Sequence, residues 1–314
     1  MSFAVLFPGQ GSQFVGMGAD LFAARGDVLG DRADEVLGWS LREVCLDGPE
    51  ALLTSTDHAQ PALFALSYVL WEAFSDQVGR VPAAAAGHSL GEYTALTAAG
   101  AIDFEKGLAL VAERGRAMAE AAGSLEDSTM AAVIGSPDEA VEAVLAARRS
   151  DGGQIWAANF NAPGQVVVAG ASADIDWLVA EAKALGLRRV IPLQVAAAFH
   201  SPFMAPAAAA LADAVAGVSF DVPSFDVYAN VDAAPASDIG ESLIKQLTAP
   251  VRFVETLSAM SASGIDTFVH VGPGDVTAGL VRKTVPGATV AVVDSLESVA
   301  EAVRVVNHEG GSDA

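Results

Sequence analysis

The residues best suited to chemistry form the hexapeptide Gly87–Glu92 (GHSLGE). It follows the apolar run Ala83–Ala86 and precedes a helix-compatible segment, Tyr93–Ala99, which is the strand–turn–helix context of a nucleophile elbow. In that context Ser89 would lie at a helix N-terminus, where free N–H groups favour a developing anion. We therefore interpret Ser89 as a candidate nucleophile rather than an ordinary loop serine.

An activated serine needs a base, and the chain has five histidines. His308 lies near the C-terminal tail, His270 is expected to be a core residue of an apolar strand, and His58 is expected to face solvent from a polar loop. His88 flanks the serine, with its side chain expected to point away across the turn. His200 ends a stretch of small residues just before a helix start. Its position alone leaves a catalytic and a structural interpretation open.

A second glycine motif, Pro8–Gln13 (PGQGSQ), follows the first predicted strand. Phe14 stands where a G-x-G-x-x-G motif needs its third glycine, so no dinucleotide site is predicted. The motif is either a tight strand-to-helix loop or the source of a backbone N–H donor that reaches Ser89. An elbow of this type takes its other oxyanion donor from the residue after the nucleophile, here Leu90.

Arg114 belongs to the segment Glu113–Met118 (ERGRAM) and also has two interpretations. On an acidic protein such an arginine is usually solvated or paired with a neighbour, here Glu113. An arginine that lines a cleft would instead offer a planar, two-pronged site for a carboxylate. Composition does not choose between them.

The composition is that of a folded chain, with 52% apolar and 18% charged residues over 314 positions, enough for about two domains. The net charge of −22 disfavours binding to nucleic acid or a membrane surface. The single cysteine, Cys45, excludes an internal disulfide and is expected in the core. The run Phe3–Phe7 indicates a buried strand rather than a signal peptide, and no run reaches the ~20 apolar residues of a membrane span. We expect a cytoplasmic protein without a bound cofactor or metal.

Over the outer parts of the chain, short apolar runs alternate with amphipathic segments, which favours a parallel sheet covered by helices. The strands predicted there are Phe3–Phe7, Ala83–Gly87, Asp226–Asn230, Thr267–Val271 and Thr289–Val293. The helices predicted there are Pro61–Gln77, Phe104–Ala122, Pro202–Ala216, Val251–Ser263 and Leu296–Val306. The glycine-rich end, Glu309–Ala314, is expected to be frayed.

The middle of the chain has a different order, β-α-β-β-α-β, which is the pattern of a ferredoxin-like unit. Its predicted elements are strand Met130–Gly135, helix Pro137–Arg148, strands Gln154–Phe160 and Gln165–Ala169, helix Ala173–Leu185 and strand Arg188–Leu193. We therefore predict a small subdomain at 128–196, inserted into a large α/β domain made of 1–127 and 197–314.

Six segments, in this order and spacing, resemble the malonyl-CoA:acyl carrier protein transacylase family, including the stand-alone acyltransferases that serve polyketide synthases in trans. The segments are Phe7–Gln13, Gly87–Glu92, Glu113–Gly115, Asn159–Gln165, Ala198–Ser201 and Val271–Gly274. The resemblance covers about residues 3 to 295. It implies an α/β-hydrolase-like large domain with a ferredoxin-like insert, and it leaves open whether the pathway is fatty acid or polyketide synthesis.

The resemblance also implies catalytic roles. Ser89 matches the nucleophile and His200 the general base, which the family orients by a carbonyl oxygen at the position of Gln246 rather than by a carboxylate. Gln10 and Leu90 match the residues whose N–H groups hold the oxyanion.

A substrate site follows from the same resemblance. Arg114 matches the arginine that pairs with the free carboxylate of a malonyl group, and Asn161 matches a residue lining the cleft between the subdomains. Phe199 is expected to crowd an α-methyl group, which favours malonyl over methylmalonyl. Met118, in the segment of Arg114, is placed in the substrate site as well.

The reaction implied is transfer of a malonyl group from a CoA thioester to the phosphopantetheine thiol of an acyl carrier protein, through a seryl ester, by a monomeric enzyme. Three alternatives have different outcomes: an acyl hydrolase of the same fold, a trans-acting acyltransferase for another acyl group, and a non-catalytic docking module. We hypothesise that Arg148 and Arg149, or Arg188 and Arg189, help to dock the carrier protein.

Overall fold

The computed structural model describes residues 2–124 and 127–308, so the tail predicted to fray, Glu309–Ala314, lies outside the described residues. The strands are β1 (Ser2–Phe7), β2 (Ala84–Gly87), β3 (Ser128–Ile134), β4 (Ile155–Ala162), β5 (Gln165–Ala171), β6 (Val190–Pro192), β7 (Asp226–Tyr228), β8 (Ile265–Val271) and β9 (Thr289–Val293). The α-helices are α1 (Ala19–Ala24), α2 (Ala33–Leu37), α3 (Leu41–Leu46), α4 (Glu50–Thr54), α5 (Thr56–Val78), α6 (Gly91–Ala98), α7 (Phe104–Ser124), α8 (Asp138–Ser150), α9 (Ser172–Glu181), α10 (Ala205–Ala216), α11 (Ile239–Gln246), α12 (Phe253–Ala262), α13 (Val276–Thr284) and α14 (Leu296–His308).

The large sheet has five strands in the order β7-β2-β1-β8-β9, and every neighbouring pair is parallel. This confirms the predicted parallel sheet and all five of its predicted strands. Phe7 of β1 pairs with Gly87 of β2, so the two strands end side by side. The loops that follow them, at Pro8 and Ser89, therefore lie at the same edge of the sheet, where open parallel sheets bind their ligands.

The small sheet has four strands in the order β4-β5-β3-β6, and its pairs are all antiparallel. With α8 and α9 it has the predicted β-α-β-β-α-β order, which confirms the fold class. Val251, before α12, bridges to β4 through its N–H to Ala158 and its carbonyl oxygen to Phe160, both at 2.8 Å. These bonds tie the small sheet to the segment that leads into α12 of the large domain. The subdomain boundaries at 128 and 196 stay a prediction.

The longest helix, α5, starts earlier than predicted. Pro61 was expected to open it, but the helix begins at Thr56, so Pro61 lies inside and His58 lies in its first turn rather than in a loop. The His58 side chain is 20% exposed and approaches Ser55 and Asp57. The prediction of a solvent-facing His58 is therefore wrong, because polar residues at the start of a helix resemble a loop in sequence.

Several elements had no counterpart in the prediction. Between β1 and α5 the chain forms four helices of five or six residues and a π-helical turn at Asp27–Arg32, which are too short to show a helical period. The predicted helix Pro202–Ala216 divides into a 3₁₀ turn, Pro202–Met204, and α10.

Two residues predicted to be in the core are there. Cys45 is fully buried, and burial raises the pKa of its thiol to about 12. His270 is fully buried in β8, where its ring contacts Thr277 Oγ1 at 2.6 Å and the Gly272 carbonyl oxygen at 3.0 Å. Across 2–124 and 127–308, none of the helices combines the length and the apolar character needed to cross a bilayer.

Candidate active site

Ser89 lies in the sharp turn between β2 and α6, in the strand–turn–helix context predicted for it. Its φ is 51°, a left-handed conformation that costs a non-glycine residue about 1 kcal/mol or more. The flanking glycines make this turn sterically possible. A Cβ on Gly87 would lie 1.7 Å from the carbonyl carbon of Gly91, and a Cβ on Gly91 would lie 2.4 Å from the Phe7 carbonyl oxygen. The elbow therefore accepts only glycine at both positions.

His200 meets Ser89 from the other half of the chain. Its Nε2 lies 2.8 Å from Ser89 Oγ, and its Nδ1 lies 2.9 Å from the main-chain oxygen of Gln246. A carbonyl oxygen can only accept, so Nδ1 carries the proton and Nε2 is left to accept the serine proton. Burial, with the nearby Arg114 charge, lowers the pKa of His200 to about 3. The imidazole is therefore neutral at pH 7 and has the protonation state of a general base.

Arg114 points inward from α7 and is 1% exposed. Its Nη2 donates to Ser89 Oγ and to Gln246 Oε1, both at 2.9 Å, and its Nη1 donates to Gln60 Oε1 at 2.6 Å. The alternative pairing with Glu113 does not occur, because Glu113 pairs with Arg116 instead. Desolvation lowers the pKa of Arg114, as expected for a buried cation held by neutral partners.

The loop after β1 packs directly against the elbow. A Cβ on Gly9 would lie 2.5 Å from the His88 carbonyl oxygen. Gln10 in this loop and Leu90 in the elbow line the same cavity as Ser89. Within the described residues, neither of their backbone N–H groups donates to a protein acceptor. Donors without a protein partner are what an oxyanion site needs, and the oxyanion role of Gln10 and Leu90 stays a prediction.

The cavity has a volume of about 340 Å³ and lies between the large and the small sheet. Among the predicted site residues, those that line it are Gln10, Ser89, Leu90, Arg114, Met118, Asn161, Phe199 and His200. The structure thus brings residues from both halves of the chain into one site. Gln246 lies behind the cavity, fully buried, and reaches it through His200 and Arg114.

His88 does not point away from the cleft, and that prediction is wrong. It lines the cavity, and its Nε2 lies 2.7 Å from Asn161 Oδ1 on β4. The ring also packs edge-on against Phe253 at 5.3 Å between centroids. The reason is that the turn at Ser89 sends consecutive side chains to neighbouring parts of the same cleft.

Sequence reasoning missed three polar side chains around the site: Gln60, Glu92 and Asn230. All three are buried, at 1% exposed or less. Glu92 follows the elbow within the quoted motif, and Asn230 ends a predicted strand, but their mutual contacts join segments 138 residues apart. Across the described ranges, no group of three or more side chains of the metal-binding types His, Cys, Asp and Glu is gathered as a metal site would need.

Comparison with known proteins gives a consistent result. The model of the acyl transferase domain family matches residues 4–306. A malonyl CoA-acyl carrier protein transacylase from Bacillus subtilis is 39% identical over 311 residues, which is 98% of each chain. The structure of a malonyl CoA-acyl carrier protein transacylase from Coxiella burnetii superposes with a TM-score of 0.93 at 34% identity, covering 98% of both chains.

A second solved structure is a malonyl-transacylase in complex with its type II polyketide synthase acyl-carrier protein. It superposes with a TM-score of 0.91 at 37% identity and covers 97% of this chain and 99% of that chain. From the family match, the near-complete coverage and the shared fold, the chain belongs to the acyl transferase family, among the malonyl CoA-acyl carrier protein transacylases.

Proposed function

We propose that this chain transfers a malonyl group from CoA to the phosphopantetheine thiol of an acyl carrier protein, through an ester on Ser89. The observation that carries the proposal is the 2.8 Å contact between Ser89 Oγ and His200 Nε2 in a cavity also lined by the buried Arg114. The names of the relatives, one of them in complex with a carrier protein, support the same substrate and partner.

In the first half-reaction, Ser89 Oγ attacks the thioester carbonyl while its proton passes to His200 Nε2. The negative charge on the tetrahedral oxygen is held by the N–H groups of Gln10 and Leu90, and loss of one such donor typically costs ~10²–10³ in rate. The C–S bond then breaks, and the CoA sulfur leaves as a thiol with the proton from His200. The acyl group remains as an ester on Ser89.

The second half-reaction runs the same steps in reverse order. The carrier's pantetheine thiol gives its proton to His200 as its sulfur attacks the ester carbon. The C–O bond breaks, and Ser89 recovers its proton. CoA leaves before the carrier reacts, so the kinetics are ping-pong.

Arg114 sets the class of acyl group. An unpaired charge in a buried site costs several kcal/mol, so a malonyl carboxylate needs a fixed cation there. The fork of the guanidinium matches a carboxylate better than a lysine would. Phe199 restricts a substituent on the α-carbon, and Met118 and Asn161 complete the walls around the acyl chain.

The side-chain contacts distinguish the two arginine pairs that were predicted to dock the carrier protein. Arg148 is held by Asp174 at 2.7 Å and lies over the Trp177 ring, and Arg149 donates to the Ile155 carbonyl oxygen at 2.9 Å. These internal contacts favour Arg188 and Arg189 as the docking pair of the original hypothesis. A monomeric state, a cytoplasmic location and the absence of a bound cofactor stay predictions.

Intact-protein mass spectrometry tests the proposal. After mixing with malonyl-, methylmalonyl- and acetyl-CoA, the chain should gain the mass of one malonyl group, with little methylmalonyl or acetyl. Ser89→Ala should gain none, and Ser55→Ala, which changes the serine between α4 and α5, should label as the wild type does. Labelling of Ser89→Ala would remove the proposed nucleophile.

The fate of the malonyl ester distinguishes an acyltransferase from a hydrolase. The malonyl-enzyme, freed of CoA, is followed with and without a phosphopantetheinylated carrier protein. Persistence of the ester alone and its rapid loss to the carrier support transfer. Rapid release of free malonate without the carrier would show a hydrolase instead.

A further inference from the structure

A buried acid lies directly behind the catalytic residues and takes no part in the mechanism above. Glu92 is on the first turn of α6, three residues after the nucleophile, and is 1% exposed. Burial raises the pKa of its carboxyl to about 7. Burial of an ionisable side chain is unfavourable unless hydrogen bonds compensate for the lost water, so the contacts of Glu92 should explain its place.

The contacts of Glu92 fix the orientation of a neighbouring amide. Its Oε2 accepts from Gln246 Nε2 at 2.7 Å and from the backbone N–H of Asn230 at 2.9 Å. An oxygen acceptor here selects the NH₂ end of the Gln246 amide, so Oε1 must face the other way. That end accepts from Arg114 Nη2 at 2.9 Å.

Gln246 therefore connects Glu92 to each reacting group. Its side chain holds Arg114 through Oε1 and donates to the Ser89 carbonyl oxygen at 3.0 Å through Nε2. Its main-chain oxygen holds His200 Nδ1 at 2.9 Å. One residue thus orients the base and the cation, and Glu92 fixes its rotation.

Asn230 extends the same support to the strained elbow. Its Oδ1 accepts the Ser89 backbone N–H and its Nδ2 donates to the Gly87 carbonyl oxygen, both at 2.7 Å. These two bonds grip the turn on either side of the 51° φ at Ser89. Because Glu92 accepts the Asn230 backbone N–H, it also fixes the segment that carries this clamp.

We propose that Glu92 is a positioning residue for acyl transfer, which orients the Arg114 guanidinium through the Gln246 amide and steadies the Ser89 elbow through Asn230. The inference deepens the proposed function and depends on it. This role depends on the length of the Glu92 side chain, which places an oxygen acceptor beside Gln246, and not on the charge of the carboxylate. Arg114 on α7 attracts that charge, and Asp232, which follows β7, repels it.

Two substitutions separate the effect of side-chain length at position 92 from the effect of its charge. Glu92→Gln keeps the length and an oxygen acceptor but removes the charge. Glu92→Asp keeps the charge but is one methylene shorter, so the bond to Gln246 is lost. Thr97→Val, also on α6, removes a buried hydroxyl bonded to the Tyr93 carbonyl oxygen and serves as the control for general destabilisation.

Steady-state kinetics with malonyl-CoA and acetyl-CoA, together with thermal denaturation, give the readouts. We expect Glu92→Asp to lose at least about tenfold in kcat/KM for malonyl-CoA, with a smaller loss for acetyl-CoA. A disturbed Ser89 elbow affects both substrates, whereas the loss of the carboxylate partner on Arg114 adds to the effect for malonyl-CoA alone. Glu92→Gln should stay within about threefold of the wild type for both substrates. Thr97→Val should lower the melting temperature without changing either kcat/KM.

Three results would overturn the inference: wild-type kinetics in Glu92→Asp, equal losses in both Glu92 variants, or a loss confined to Glu92→Gln. Should Glu92→Asp not fold, the substrate preference of Glu92→Gln decides, because a shift of its malonyl preference toward acetyl would assign the role to charge. Failure of the proposed function is recognised separately, since the wild type itself would then form no malonyl ester at Ser89.

Discussion

The two walls of the cavity are built differently. On the wall from the large sheet, Ser89, His200 and Arg114 are joined to each other and to Gln246 by hydrogen bonds of 2.8 to 2.9 Å. The wall from the small sheet adds Asn161, Gln165 and Val167, and it meets the elbow through the bond between Asn161 and His88. The comparison teaches that the reacting groups are set within one wall, while the other shapes the space around the substrate.

Among changes to the large-sheet wall, removal of the base should lower activity the most. His200→Ala leaves Ser89 without a proton acceptor, so we expect kcat to fall between about 10²- and 10⁴-fold. Rates of transfer to the carrier protein measure this, with His58→Ala as a histidine control that should stay near wild type. A variant that kept more than a tenth of the activity would show that another group takes the proton.

Replacement of Arg114, the cation on the same wall, tests whether this wall recognises the carboxylate of the substrate. Arg114→Lys replaces a fork by a point charge, so we expect kcat/KM for malonyl-CoA to fall about 100-fold, or about 2.7 kcal/mol, with a far smaller loss for acetyl-CoA. Arg116→Lys is the matched control, because Arg116 is an exposed residue of the same helix paired with Glu113 and Glu120. Equal losses with both acyl groups would contradict a carboxylate-specific role.

A change on the small-sheet wall should have the mildest effect. Asn161→Ala removes the partner of His88 Nε2, which water in the cavity can replace. We expect KM for malonyl-CoA to rise about three- to tenfold with kcat nearly unchanged, which is the size of one partly buried hydrogen bond. If kcat instead fell as far as in His200→Ala, the proposed division between the walls would be wrong.

The large-sheet wall was only partly predictable from sequence. The elbow is local, because the spacing of Gly87, Ser89 and Gly91 shows both the turn and the reason for its glycines. His200 is 111 residues away from Ser89, and its position alone gave an even choice between roles, so only the family resemblance assigned it. Glu92 and Asn230 were missed because buried polar side chains carry no pattern until the fold brings them together.

The regular elements were predicted well where a period of two or 3.6 residues runs long enough. The ferredoxin-like order and the five strands of the large sheet are examples. The helices between β1 and α5 failed this condition, since each has no more than six residues. The direction of the His88 side chain follows from the strained turn at Ser89, and the residue types around the turn do not reveal it.

Both members of the reactive pair share an unusual backbone: φ is 51° at Ser89 and 53° at His200. Glycine would adopt these torsions without penalty, yet glycine at either place has no side chain to react. Relief of backbone strain and turnover therefore favour opposite residues at the two positions. A relative that no longer needs the activity could carry glycine at either position. Glycine there would therefore indicate a chain that has lost its catalytic function.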